Sequence, residues 1–321
     1  MNTKLLYSLL AIESESYDSS EMEAFVTSYA RRRRWAVNTD SLGNIYLTKG
    51  TADVYPCIVA HLDTVHSITG EAITPVTIDG KVTGMHASSM SQTGIGGDDK
   101  CGVFAALEIM GKLPACKAAL FVDEEVGCLG SSAAEMSFFN DCAFVLQADR
   151  RGGSDFVTSI AGVPLASAEW LAAIEPLLQS HGYSHCAGAM TDVEALRDAG
   201  IGICAANLSA GYHRPHQNEE YIVLAELDNV VRLMISICRT HGGKRWAFTP
   251  PPKPAPRLPT WYLSGGQSKP GRPAGMPRSV WRDLQEEAAY LEERQRQLAE
   301  AWPLDPWPDD YHTRSRPESE T

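Results

Sequence analysis

The chain has 321 residues, of which 44% are hydrophobic, and its formal net charge at pH 7 is −12. This negative charge argues against nucleic acid or an anionic membrane as the main partner, because both would repel the protein. A small molecule or a peptide is the expected partner. No run approaches the roughly 20 apolar residues of a membrane span. The apolar start lacks the cleavage site of a signal peptide, so a short helix is predicted there.

The eight cysteines are scattered singly in mostly apolar surroundings. None forms a C-x-x-C pair of the kind found in structural zinc sites and redox motifs. They are predicted to be buried free thiols, which is typical of a reducing compartment. The expected location is therefore the cytoplasm.

Short apolar runs alternate with amphipathic helical segments up to about Gly243. The runs expected to form strands covered on both faces are YPCIVA, AALFV, CAFVLQA and IGICAANL. Helical spacing marks DKCGVFAALEIMGKL, PLASAEWLAAIEPLLQSHG, TDVEALRDAG and IVLAELDNVVRLMISICRTHGG. Strands separated by helices predict an α/β fold, with a mostly parallel twisted sheet and helices on both faces. The segment VTIDGKVTG has Asp-Gly between alternating residues, which predicts a peripheral hairpin.

The composition changes abruptly near the end of the last of these helices. Residues 246–276 are rich in proline and glycine and are predicted to form a linker. Residues 277–302 have the pattern of a strongly charged helix, and residues 303–321 are polar and predicted to be disordered. The α/β domain is therefore predicted to span residues 1–245.

Candidate metal ligands follow the predicted strands, each close to the point where a strand ends. They are His61 and Asp63 after the first run, Glu124 and Glu125 after the second, Asp149 after the third, and His216 in the loop beyond the fourth. Ligands of open α/β sheets bind outside the carboxyl ends of the strands, so these side chains are expected to meet at one edge. Asp98 lies where a glycine-rich segment ends and a helix begins, a position that suits an acid. Carboxylates gathered in this way would repel one another without cations, so a divalent metal site is predicted.

The adjacent glutamates suggest a division of roles. A hydrolytic metal site needs ligands with a position open for water. It also needs a carboxylate that does not bind metal and can take a proton from that water. Glu124 and Glu125 could divide these two functions, because neighbouring side chains point in different directions.

Five motifs in order carry a resemblance to a known group. AHLDTV, GGDDKCG, DEEVGCLGS, QADR and PHQNEEY resemble the signatures of co-catalytic zinc aminopeptidases and carboxypeptidases. The likeness is greatest to peptidase T and its relatives, including carboxypeptidase G and succinyl-diaminopimelate desuccinylase, and it covers about residues 1–243.

The resemblance implies two zinc ions, or cobalt or manganese in their place. It implies that Asp98 bridges both ions, with His61 and Asp149 completing one site and Glu125 and His216 the other. Asp63 would orient His61, and Glu124 would act as the general base. The implied activity is cleavage of an amide bond in a small peptide or an N-acyl amino acid by metal-activated water. Aminopeptidase and dipeptidase are the favoured activities, while carboxypeptidase and deacylase share the same ligands.

One feature of the group is expected to be missing. Its members usually carry a lid domain between the ligand equivalent to Asp149 and the last histidine, which commonly mediates dimerisation and holds the far end of the substrate. Here a predicted strand and helix already fill that interval. A monomer is therefore predicted, or association through another surface such as the charged C-terminal helix.

The missing lid leaves the usual carboxylate-binding arginine without a counterpart. Arg150, Arg151 and Arg214 are candidates to replace it, and His213 is a candidate to contact substrate; surface solvation and shaping of the loop are the alternatives. Lys100 and the pair Thr191 and Asp192 are expected to be structural supports.

A second class of function also fits the sequence. The chain could be a non-catalytic metal-binding scaffold that uses its C-terminal arm to recruit a protein partner. The retained Glu124 favours the hydrolase, because a scaffold needs no base beside the metal.

Overall fold

The computed structural model describes residues 1–251, and these are organised around a nine-stranded sheet. The predicted linker beyond residue 251, the charged helix at 277–302 and the tail at 303–321 lie outside the described residues. In chain order the strands are β1 (Ala36–Thr39), β2 (Ile45–Lys49), β3 (Tyr55–His61), β4 (Ile73–Ile78), β5 (Lys81–His86), β6 (Gln92–Thr93), β7 (Cys116–Phe121), β8 (Cys142–Arg150), β9 (Asp155–Ile160), β10 (Val163–Pro164), β11 (Ser184–Gly188), β12 (Ala205–Ser209), β13 (Tyr212–His213) and β14 (Tyr221–Val223).

The centre of the main sheet is parallel and its flanks are not. The strand order is β1-β2-β7-β3-β8-β12-β9-β10, with β11 also paired to β9. Strands β7, β3, β8 and β12 run parallel to one another. Strand β2 joins β7 antiparallel, and β9 joins β12 antiparallel. The predicted parallel α/β sheet is confirmed at the centre, while the antiparallel flanks were not predicted.

Helices cover both faces of this sheet. They are α1 (Thr3–Leu10), α2 (Ser20–Arg32), α3 (Gly97–Lys112), α4 (Leu129–Ser132), α5 (Ala168–His181), α6 (Asp192–Asp198) and α7 (Leu224–His241). Side chains alternate between the faces of a strand, so Ile58 and Ala60 of β3 join the core under α1, α2, α3, α5 and α7. Cys57 and Val59 join a second core that includes α6. Every residue of β3 is buried, as expected for a strand covered on both faces.

A smaller five-stranded sheet lies beside the main one. The predicted hairpin is confirmed as β4 and β5, joined at Asp79 and Gly80, whose φ values of 49° and 77° suit a tight hairpin turn. Strand β5 pairs with β14, and β14 pairs with β13. The loop between β13 and β14 carries His216, so the hairpin helps to hold that loop in place.

The stretch between Asp149 and His216 contains no separate domain. All of it is described, and it supplies β9 to β12 of the main sheet together with α5 and α6. The predicted absence of a lid from this interval agrees with the structure.

Backbone contacts continue past residue 245, the predicted end of the α/β domain. Trp246 is buried, its backbone N–H donates to Ala143 O, and its carbonyl accepts from Cys204 N. Ala247 forms a bridge with Ile203, and Phe248 N donates to Gly202 O. Proline-rich composition begins directly after these residues, so composition alone does not separate them from the predicted linker.

The N-terminal helix is confirmed as α1, and no helix within residues 1–251 is long and apolar enough to cross a membrane. The eight cysteines are all free, and all are buried except the half-buried Cys186.

Candidate active site

The predicted ligands converge at one edge of the main sheet. His61 is the last residue of β3, Asp149 lies near the end of β8, and Glu124 and Glu125 follow β7. Asp98 lies in the first turn of α3, where its backbone is not helical. The side chains expected to meet beyond the carboxyl ends of the parallel strands therefore do lie near one another.

One group of ligand atoms surrounds the imidazole of His61. Its Nε2 lies 3.2 Å from Asp98 Oδ1 and 3.7 Å from Asp149 Oδ1. One ligand atom from each of the three residues lies within 4.8 Å of the others. This spacing allows all three to contact one ion at the metal–ligand distances of about 2 Å that are usual for nitrogen and oxygen ligands.

A second group shares Asp98 through its other oxygen. His216 Nε2 lies 3.3 Å from Asp98 Oδ2 and 3.2 Å from Glu125 Oε1. One ligand atom from each of Asp98, Glu125 and His216 again lies within 4.8 Å of the others. The structure thus brings together both sets of three residues that the resemblance implied, with Asp98 common to the two.

The chemistry of these side chains fits divalent cations. Glu125 Oε1 is buried and has no hydrogen-bond partner, although His216 Nε2 is near. Burial raises the pKa of Glu125 to about 7 and, with the charge of Asp98, raises the pKa of Asp149 to about 7. A cation among these carboxyls would favour their charged forms and would give the orphaned oxygen a partner.

Asp63 supports this cluster from behind. His61 Nδ1 lies 3.4 Å from Asp63 Oδ1 and 2.9 Å from the Asp63 carbonyl oxygen. Ser16 Oγ and the backbone N–H groups of Glu124 and Glu125 also donate to the Asp63 carboxylate. Burial alone would raise the pKa of Asp63, but the hydrogen bonds and the charge of His61 outweigh it and lower the pKa to about 2. Asp63 therefore stays charged and fixes the positions of the His61 ring and of the backbone of Glu124 and Glu125.

Glu124 lies beside both groups without belonging to either. Its Oε2 is 4.0 Å from His61 Nε2, and Cys128 Sγ donates to its Oε1 over 3.5 Å. Burial is the main cause that raises the pKa of Glu124 to about 9, and the charge of Asp149 adds to it. The Glu124 carboxyl therefore lies next to the cluster but belongs to neither three-residue group, which leaves it free for acid–base chemistry.

The cluster opens into a cleft of about 530 Å³. Its lining residues are Asp98, Glu124, Glu125, Asp149, Arg150, Arg151, Val157, Gly188, Ala189, Met190, Asn207, Tyr212, Pro215 and His216. A volume of this order is typical of pockets for small ligands.

Two of the predicted substrate contacts do not line this cleft. His213 Nε2 lies 2.7 Å from Glu226 Oε2, and its ring stacks on that of Tyr221 at 5.0 Å. Arg214 is exposed in the loop that precedes His216. Arg150 does line the cleft, but its Nε is 2.8 Å from Asp155 Oδ2. All three side chains lie close to the proposed ligands in sequence, but only Arg150 lines the cleft.

Lys100, Thr191 and Asp192, the residues expected to be structural supports, all form hydrogen bonds within the protein. Lys100 Nζ donates to the carbonyl oxygens of Ile12 and Ile95. Thr191 Oγ1 donates to Asp149 Oδ2 over 2.9 Å, and Gln147 Nε2 donates to Asp192 Oδ2 over 2.9 Å. The Thr191 contact helps to fix the Asp149 carboxylate.

Three further residues hold the site together and were not predicted. Glu220 is fully buried and accepts from Gly96 N, Asp98 N and His66 Nε2. Tyr212 Oη donates to Asp149 Oδ1, while Asn207 exchanges hydrogen bonds with the backbone of Asp149. Glu220 lies within the quoted motif PHQNEEY, but nothing in its local pattern indicates a contact with the Asp98 turn.

The fold is similar to those of solved peptidases. An aminopeptidase PepT from Bacillus cereus ATCC 10987 matches with a TM-score of 0.59 and 16% identity, over 73% of this chain and 96% of that chain. A tripeptidase from Staphylococcus aureus matches with a TM-score of 0.59 and 14% identity, over 74% of this chain and 98% of that one. An aminopeptidase from the archaeon Desulfurococcus kamchatkensis matches with a TM-score of 0.57 and 14% identity, over 75% and 95%. At these identities the likeness establishes a shared fold, which confirms the fold that the motifs implied. No protein-family model and no curated protein matches the sequence.

Proposed function

We propose that this protein is a di-metal hydrolase that cleaves an amide bond of a small peptide or an N-acyl amino acid. The observation that carries the proposal is the pair of three-residue groups that share Asp98, with Glu124 beside them and outside both. The shared fold with the two aminopeptidases and the tripeptidase supports a peptide substrate.

In this proposal, His61, Asp98 and Asp149 would hold one divalent ion, and Asp98, Glu125 and His216 the other. Zinc is the first choice and cobalt or manganese the alternatives, because mixed imidazole and carboxylate ligands suit all three. When bound, such ions would supply Lewis acidity that polarises a carbonyl and lowers the pKa of water at the site.

Glu124 would act as the general base. Its backbone N–H is fixed by Asp63 Oδ1 over 3.0 Å, and its side chain lines the cleft. Positive charge beside the carboxyl would lower its raised pKa toward the range where it accepts a proton at neutral pH. Glu124 would then take a proton from the attacking water and return it to the leaving nitrogen. Asp63 would keep His61 in one orientation while this happens.

The eight free cysteines fit a reducing compartment such as the cytoplasm, and we include that location in the proposal.

A substrate panel tests this function. Protein reconstituted with zinc, cobalt or manganese is assayed against aminoacyl arylamides, dipeptides, tripeptides and N-acyl amino acids. We expect metal-dependent hydrolysis of at least one class, loss of activity on chelation and recovery on readdition of the metal. A protein that binds metal but hydrolyses none of the four classes would instead support the scaffold alternative.

A further inference from the structure

The cleft contains two adjacent arginines in different environments. Arg150 is held by Asp155 through an Nε–Oδ2 contact of 2.8 Å. Arg151 lines the same cleft and is exposed, and no acidic side chain within residues 1–251 forms an ion pair with it. Arg151 is therefore the cleft arginine whose guanidinium is available to a ligand.

The charge of the cleft favours an anionic ligand for Arg151. The acids that line the cleft are Asp98, Glu124, Glu125 and Asp149. Two divalent cations at the proposed site would balance these four carboxylates, and Arg151 would then remain as uncompensated positive charge. A guanidinium recognises a carboxylate through two parallel N–H···O bonds, which sets both the charge and the geometry of its preferred partner.

The backbone holds Arg151 at a defined place beside the cluster. It follows Asp149 by two residues, so the two Cα atoms are at most about 7 Å apart. The Arg151 carbonyl accepts from Ser209 Oγ over 2.9 Å, and the next residue, Gly152, donates from its N–H to Tyr212 O over 2.9 Å. Tyr212 in turn donates to Asp149. Tyr212 thus holds both the backbone next to Arg151 and the side chain of Asp149, the proposed metal ligand.

We propose that Arg151 binds the free α-carboxylate on the leaving-group side of the substrate. An extended peptide advances about 3.5 Å per residue, so a carboxylate one or two residues beyond the cleaved bond falls within the span between Asp149 and Arg151. The substrates are then short peptides with a free C-terminus or N-acyl amino acids, in preference to arylamides and C-terminally blocked peptides. This inference rests on the proposed function, because it names the substrate class of the same site.

The first test compares a tripeptide with its C-terminal amide. We expect wild-type protein to prefer the free acid in kcat/KM by about 10- to 100-fold, the range of one charge-assisted hydrogen-bonded contact. Arg151→Gln should bring this ratio close to one by slowing only the acid. Arg151→Lys should retain part of the preference, since lysine keeps the charge but not the planar fork. Arg239→Gln, which removes an exposed arginine from α7, is the matched control and should leave the ratio unchanged.

A binding measurement keeps the test independent of turnover. In a Glu124→Gln background, calorimetry should show the tripeptide acid binding about 10- to 100-fold more tightly than its amide, and Arg151→Gln should remove that difference. Equal hydrolysis of acid and amide by wild type, or a preference that survives Arg151→Gln, would overturn the role of Arg151 and leave the proposed function intact. Failure to hydrolyse either compound with any metal would count against the proposed function, while the binding ratio would still decide the role of Arg151.

Discussion

At the residue scale, the two neighbouring glutamates have different surroundings although one carboxylate anchors both. Their backbone N–H groups donate to the two oxygens of Asp63. From there the side chains diverge, since Glu125 Oε1 lies 3.2 Å from His216 Nε2, whereas Glu124 Oε2 lies 4.0 Å from His61 Nε2. The proposed mechanism therefore predicts different defects when the charge of each glutamate is removed.

Glu124→Gln should retain both metals while turnover falls by about 10²- to 10⁴-fold, the usual contribution of a general base. Glutamine has nearly the same size but cannot accept the proton. Metal content by mass spectrometry and kcat on the best substrate of the panel measure the two effects separately.

Glu125→Gln is the matched comparison and should fail in the opposite way. A neutral amide is a poorer metal ligand than a carboxylate, so this variant should lose metal from one site and regain part of its activity in excess metal. If Glu124→Gln stays fully active, or if it is the variant that sheds metal, the assignment of base and ligand is wrong.

At the element scale, the proposed bridging ligand depends on a turn held by a distant strand. Asp98 was expected at the start of a helix, but Asp98 and Asp99 have non-helical backbones before the regular part of α3. Glu220, directly before β14, accepts from the N–H groups of Gly96 and Asp98 and thereby fixes this turn. The small sheet thus orders both His216 and the turn that carries Asp98.

Glu220→Gln should weaken metal binding by about 10- to 100-fold, as is usual when a group that orients metal ligands is changed. A glutamine would direct an NH₂ group at a backbone N–H that now donates to a carboxylate oxygen. Competition with a chromophoric chelator measures the affinity, and Glu219→Gln at the exposed neighbouring position is the control. Unchanged affinity in Glu220→Gln would show that the turn does not need this support.

At the scale of the whole molecule, buried charge couples stability to pH and to metal. Without metal, the folded protein holds Glu124 with a pKa of about 9 and Glu125 and Asp149 with pKa values of about 7, in each case mainly because of burial. In the unfolded chain such carboxyls have pKa values of about 4. The hydrogen bond to Asp98 raises the pKa of His216 to about 9. Between pH 5 and 8 the folded state therefore binds more protons than the unfolded state.

The Tm of the chelated protein should consequently fall as pH rises from 5 to 8. Stability decreases with pH wherever the native state holds the extra protons. Saturating zinc should remove or reverse the trend, because deprotonated ligands bind metal more strongly. Thermal melts across this range test the prediction. Glu124→Gln should flatten the slope and exposed Glu21→Gln should not; a chelated protein that gains stability toward pH 8 would contradict it.

Also at the scale of the whole molecule, residues 1–251 are expected to fold and function without the rest of the chain. Within residues 1–251, the hydrophobic cores have buried members as far along the chain as Trp246. A chain truncated after Pro251 should therefore fold, bind metal and keep its turnover on small substrates, and it should be monomeric. Thermal melts, kinetics and sedimentation check these outcomes. Truncation after Arg245 is the matched comparison and should destabilise the protein, because it removes buried Trp246. Loss of activity in a well-folded 1–251 chain would place part of the site beyond residue 251.

Local sequence determined the central strands, most of the helices and the places where the proposed ligands occur. Runs such as YPCIVA and CAFVLQA are short, apolar and buried on both faces, and this pattern is readable without knowledge of neighbours. Because the carboxyl ends of parallel strands meet at one edge, the positions of His61, Glu125 and Asp149 after such runs were enough to predict their convergence.

Tertiary structure alone decided the strand order, the antiparallel flanks and the small sheet that seats His216, because these depend on pairings between segments far apart in the chain. It also distinguished Arg151 from Arg150, since the difference is the contact with Asp155 rather than residue type. The role of Glu220 was equally invisible, as its partner Gly96 lies 124 positions away. The physical reason is common to all three: hydrophobic periodicity reports which face of an element is buried, but not which distant polar group it meets there.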